Sequence, residues 1–144
     1  MSKDRIPVIS DERLLELYKR IRPARKNMMG DLCWLRTYSL KELKQRSFIW
    51  DAKDILDVRV NDTGVQLRPI TTFRCLHAYS APGMFAPKVA DVLAQIPDSL
   101  LDSVFAFQMI EMPKTTGEFC QDEFARQAFK EGYHTSVIEL YAIK

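Results

Sequence analysis

No apolar run in this chain is long enough to cross a bilayer: stretches such as Val104 to Phe107 fall far short of the roughly 20 residues that about 30 Å of hydrocarbon requires. The opening Met-Ser-Lys-Asp-Arg-Ile-Pro carries charge but no apolar core before a small-residue cleavage site, so no secretory signal is expected and the expected setting is cytoplasmic. Cysteine is sparse. Cys33, Cys75 and Cys120 are odd in number and widely spaced, unlike the dense even sets of disulfide scaffolds, so three reduced thiols are expected. The glycines, Gly30, Gly64, Gly83, Gly117 and Gly132, are all isolated, which excludes a Walker loop and a dinucleotide fingerprint and leaves no cofactor to expect. Only two histidines are present, His77 and His134. The closest pair of metal-binding types is Cys75 with His77, and two ligands do not make a structural site, so no metal is expected.

What is present is ordinary for a folded domain. In 144 residues, 47% are apolar and 28% charged, enough for one core and one domain spanning 1–144. The net charge of +2 hides an asymmetry: residues 1–48 carry twelve Lys or Arg against six Asp or Glu, and residues 49–144 carry nine against thirteen.

Several segments have a mechanism for their structure. Ser10 as N-cap, Asp11 and Glu12 at the positive end of the dipole, and the stripe Leu14, Leu15, Leu17, Tyr18 and Ile21 predict an N-terminal helix over 11–22, ended by Pro23. Ala24 to Asp31 has no periodicity and reads as a connection, followed by a strand over Leu32 to Tyr38. Ser39 and Glu42 have capping-box spacing, predicting a helix over Leu40 to Arg46. Asp54 to Val60 and Val65 to Tyr79 read as the two arms of a hairpin around Asn61-Asp62-Thr63-Gly64, with Pro69 forcing a bulge, an interruption or an edge. Ala81-Pro82-Gly83-Met84 fits a type II turn, and Val89, Val92, Leu93 and Ile96 define a short helix stopped by Pro97. A buried strand over Val104 to Met112, a helix capped by Thr115 with Glu118 and stopped by Gly132, and a strand over Thr135 to Ile143 complete the chain.

This order predicts an α+β domain: a four- or five-stranded, mostly antiparallel sheet with helices on one face, built as a ferredoxin-like split βαβ core with an appended helix and strand. The wording Met84-Phe85-Ala86-Pro87, Val92-Leu93-Ala94-Gln95-Ile96-Pro97 and Gly132-Tyr133-His134, with Leu140-Tyr141, resembles small uncharacterised bacterial proteins of integron gene cassettes. The resemblance covers roughly the last 70 residues and implies a bacterial, mobile-element setting but no activity.

Three functional readings compete. Strand alternation groups His77, Tyr79, Gln108, Glu139 and Tyr141 on one sheet face, where aromatic bodies with polar tips suit a small-ligand cleft or a homodimer interface, and Met84 with Phe85 add a loop contact. That predicts a non-enzymatic binding module acting as a dimer. The second reading is nucleic-acid binding through Lys19, Arg20, Arg22, Arg25 and Lys26, a basic cluster that would neutralise phosphates. The third is a small enzyme using His77 and Glu139.

Overall fold

The computed structural model describes residues 6–47, 52–78, 86–111 and 122–144. In chain order these form α1 (Asp11–Arg20), β1 (Arg22–Lys26), β2 (Leu32–Leu35), α2 (Leu40–Gln45), β3 (Ile55–Arg59), β4 (Leu67–Ala78), α3 (Val89–Gln95), β5 (Ala106–Glu111), α4 (Glu123–Lys130) and β6 (Tyr133–Ile143). No helix among the described residues is long and apolar enough to cross a membrane. The expected type II turn, the Thr115–Glu118 cap, Cys120, Tyr79, Met84 and Phe85 lie outside the described residues.

The α+β class holds, but the ferredoxin-like arrangement does not. The sheet has six strands in the order β3-β2-β1-β5-β6-β4, with β1 and β5 parallel and every other pair antiparallel. Two corrections account for the difference. First, the expected connection over Ala24 to Asp31 contains a central strand. β1 pairs with β2 on one side and β5 on the other, and Ala24 is fully buried. Pro23, expected only to end the first helix, has no amide to donate yet lies within this strand. Here Arg22 N donates to Phe105 O at 3.0 Å toward β5, so the missing donor of Pro23 faces the β2 side, where the ladder begins only at Ala24. The hairpin then turns through Asn27, whose Oδ1 accepts from the amides of Met29 and Asp31 at 2.9 Å each, and through Gly30 at φ +87°.

Second, the two arms of the expected 54–79 hairpin do not pair. β3 pairs with β2, while β4 runs along β6 from Leu67↔Ile143 to Ala78↔Tyr133, and the two arms stand at opposite sheet edges. Val60 to Thr63 forms a 3-10 turn ending at Gly64 with φ +83°, so the turn-forming residues start a crossover rather than a hairpin. A flat six-stranded sheet would separate its edge strands by about 24 Å. The link of residues 60–66, partly wound at about 2 Å per residue, reaches only about 20 Å. The sheet must therefore coil until diagonal corners approach, and Leu67 at the start of β4 does share a cleft with Gly30 to Leu32 of the β1–β2 turn.

The coiled sheet has two apolar faces. On one, α1 (Leu14, Leu17), α2 (Leu43) and α3 (Val89, Val92, Leu93) meet Leu35, Cys75, Phe107, Ile138 and Leu140. On the other, Ala24, Trp34, Ala106 and Tyr141 are covered by Val60, Val65 and Leu67 of the crossover. Phe105 packs on this second face too, edge-on to Trp34 at 6.1 Å between ring centroids. It precedes β5, so strand alternation does not govern it.

The local signals fare well where they act alone. Ser10 caps α1 through Arg13 N, and Ser39 with Glu42 closes both halves of a capping box on α2. Pro69 sits on an edge strand at a register shift between Pro69 and Thr71. That edge is also closed by a side chain: Gln95 Oε1 accepts from Leu76 N at 2.8 Å while its Nε2 donates to Leu76 O at 2.7 Å, standing in for a neighbouring strand. Gln95→Met keeps the volume but strips both partners from Leu76, and is expected to lower stability by about 2 kcal/mol in urea unfolding.

Candidate functional site

The face proposed from alternation divides. Gln108, Glu139 and Tyr141 do come together: β5 and β6 align Gln108 with Glu139, the Gln108 amide donates to the Tyr141 hydroxyl, and that hydroxyl donates to the Glu139 carboxylate. Burial, and then the adjoining Glu139 carboxylate, push the Tyr141 hydroxyl above its ordinary range, so it remains a fixed hydrogen-bonding group at neutral pH rather than a proton carrier.

His77 is not part of this group. β4 places His77 opposite His134, and Phe73 opposite Ile138, so His77 shares the face of Cys75 and Ile138. Glu139 stands opposite Thr72 on the other face, which separates the carboxylate from the imidazole expected to be its partner. Phe73 and Cys75, which share the parity of His77, lie on the helix-covered side of the sheet and not on an uncovered one. They belong to the main core.

His77 stacks on His134 at 5.8 Å between centroids, and its Nε2 lies 3.1 Å from Ser136 Oγ. That is the separation of a nucleophile and its base. Both side chains, however, belong to residues only 1% exposed, so a substrate has no access to them in this structure. Burial, with help from His134 and Lys88, lowers the His77 pKa to about 3 and keeps the ring neutral. Burial raises Cys75 far above its ordinary range, and Cys33 is raised for the same reason; both are buried free thiols held in the unreactive form. No group of three metal-binding side chains occurs among the described residues.

The basic cluster is dispersed by the fold. Lys19 and Arg20 end α1, with Arg20 at 3.8 Å from Asp102, whereas Arg22 stacks over the Trp34 ring at 4.2 Å on β1. Alternation turns Arg25 away from Arg22 and Lys26.

Two constellations were not read from the sequence. The first is a buried carboxylate, Asp54, whose side chain is 2% exposed and receives Arg36 Nε at 2.8 Å, Arg46 at 3.2 Å and the Tyr38 hydroxyl at 2.7 Å. Arg36 also binds Glu42, and this ion pair takes the Glu42 carboxyl down to about 2. The Arg36 guanidinium lies over the Tyr38 ring at 4.6 Å. The cluster joins the start of β3 to α2, and its groups are consumed by each other.

The second is a cleft of about 240 Å³ lined by Gly30, Asp31, Leu32, Val60, Asn61, Val65 and Leu67. Its apolar lining, Leu32, Val60, Val65 and Leu67, belongs to the same cluster as Trp34 and Tyr141. Asp31 and Asn61 supply polar groups, and Arg59 approaches Asp31 at 3.7 Å. The turn formers at 27–30 and 61–64 were legible, but their proximity was not, because it exists only when the sheet coils.

The chain matches no family model, curated protein or solved structure. Its function is therefore argued from geometry.

Proposed function

We propose that this chain is a non-enzymatic binding module whose ligand site is the cleft between the β1–β2 turn and the Val60–Leu67 crossover. The observation that carries the reading is a concave site whose lining is the second apolar cluster itself, with Asp31 and Asn61 as its polar groups. Polar and apolar surface share its walls about equally, and in a small-molecule site placed polar groups of this kind fix the orientation of an apolar body. The volume of about 240 Å³ lies below the roughly 300–1,000 Å³ of drug-sized sites, so the ligand is small. Its chemistry is that of a compact apolar body bearing a cation or hydrogen-bond donor for the Asp31 carboxylate. The hydroxyl held by Gln108 and Glu139 fixes Tyr141 beneath this cluster and supports a preformed site rather than a reacting one.

Benzylamine is the appropriate first probe, with a dissociation constant on the order of 1 mM expected for so few atoms. Amide shifts on titration should concentrate at Gly30, Leu32 and Val60 to Leu67. Val65→Phe, which fills the cleft, should abolish them, and Asp31→Asn should remove the preference for benzylamine over benzyl alcohol. Shifts that avoid these residues, or that persist in Val65→Phe, reject the site.

A further inference from the structure

The two edges of the sheet are protected differently. On β4, Gln95 occupies the backbone groups of Leu76, and Pro69 sits at a register shift. Nothing among the described residues pairs with the outer edge of β3, whose Asp57, Val58 and Arg59 are exposed, Val58 at 45%. An open edge is a template for another strand.

The residues on this edge are complementary to themselves. In an antiparallel pair of β3 strands centred on Val58, Asp57 of each copy stands opposite Arg59 of the other, and Val58 meets Val58. Moving the centre to Asp57 or to Arg59 would instead set like charges opposite each other, which is destabilising. Asp57 has no ion-pair partner among the described residues, while Arg59 is held in place by Asp62 at 2.8 Å and by Asp31 at 3.7 Å. One charge of each pair is thus free and the other is already positioned.

We propose that β3 is a homodimerisation edge, at which two copies of the chain join their sheets by antiparallel pairing of Asp57–Arg59 about a two-fold axis at Val58, the stretch that ends where the 3-10 turn of Val60–Thr63 begins. The arrangement is isologous and closed, so it stops at two copies. It is separable from the ligand reading, since β3 contributes no residue to the lining of the cleft and reaches it only through the Arg59–Asp31 pair at 3.7 Å.

Sedimentation velocity on the full chain over a micromolar concentration series tests it, with circular dichroism to confirm that each variant is folded. The parent should show a monomer–dimer equilibrium. Asp57→Arg sets arginine against arginine at both ends of the pair and should raise the dimer dissociation constant about a hundredfold. Adding Arg59→Asp to it exchanges the charges and should restore the dimer. If the double variant does not fold, Val58→Lys serves instead, because two ammonium groups at the axis should weaken association comparably. A parent that stays monomeric throughout overturns the proposal. So does a dimer indifferent to Asp57→Arg or to Val58→Lys, or a folded double variant that remains monomeric.

Discussion

Asp54→Ala is expected to cost about 3–5 kcal/mol of unfolding free energy, the largest loss anticipated for any single polar position in the chain. The carboxylate is buried and takes three donors, Arg36 Nε, Arg46 and the Tyr38 hydroxyl. Its removal leaves the two guanidinium groups with Glu42 alone as a shared anion and a Tyr38 hydroxyl buried without this acceptor, since Tyr38 is itself buried. Burial is the first cause that raises the Tyr38 hydroxyl above its ordinary range, and it remains when Asp54 is gone. Asp54→Asn, which keeps the shape and one acceptor, should cost less than the alanine variant. Urea unfolding of the two variants checks both magnitude and order. Equal small losses, under about 1 kcal/mol, would mean that solvent reaches the arginines freely and that the cluster is ornamental.

The second large effect is acid lability centred on His77. Its folded-state pKa is about 3, against an ordinary value of 6.5, and the first cause is burial. In the unfolded chain the imidazole takes up a proton as pH falls through 6.5; in the folded protein it stays neutral until about 3. Below 6.5 the unfolded state therefore binds more protons, so the stability present at neutral pH is lost progressively as pH falls toward 3. Between pH 7 and pH 4.5 the loss from this residue should be roughly 2–3 kcal/mol. His134 is also lowered by burial and contributes in the same direction, while Glu42, held at about 2 by Arg36, adds its share at lower pH. His77→Phe retains a ring against His134 and should flatten the dependence between pH 6.5 and pH 4.5 while leaving the steeper fall below pH 4. An unchanged pH profile in that variant would place the titrating group elsewhere.

Both effects rest on pairings that the sequence did not disclose. Arg36, Arg46 and Asp54 look like ordinary surface charges in a chain with many of them, and the burial of Asp54 beneath the two arginines follows from the way α2 folds back on the start of β3. His77 with Ser136 likewise depends on the register of β4 against β6. The sequence suggested instead that His77 would meet Glu139, and one wrong choice of covered face was enough to produce that error.

What the sequence determined by itself were the features set within a few residues. Ser10 and Ser39 cap their helices through amides three positions on. Pro97 follows the end of α3, Gly132 adopts φ +92° after α4, and Pro69 disturbs an edge strand. The α+β class follows from the same local periodicities. The tertiary structure alone decided strand pairing, because an edge of backbone amides and carbonyls accepts any strand, and the choice falls to the total area buried. Residues 61–64 show the limit most clearly. Their composition specifies a change of direction and a positive φ at Gly64, and both occur. Whether the chain then returned beside β3 or crossed to the far edge depended on β6, more than sixty residues away, offering β4 a longer partner. That choice coiled the sheet, covered Trp34 and Tyr141, and opened the cleft beside Asp31, a site that no local pattern encodes.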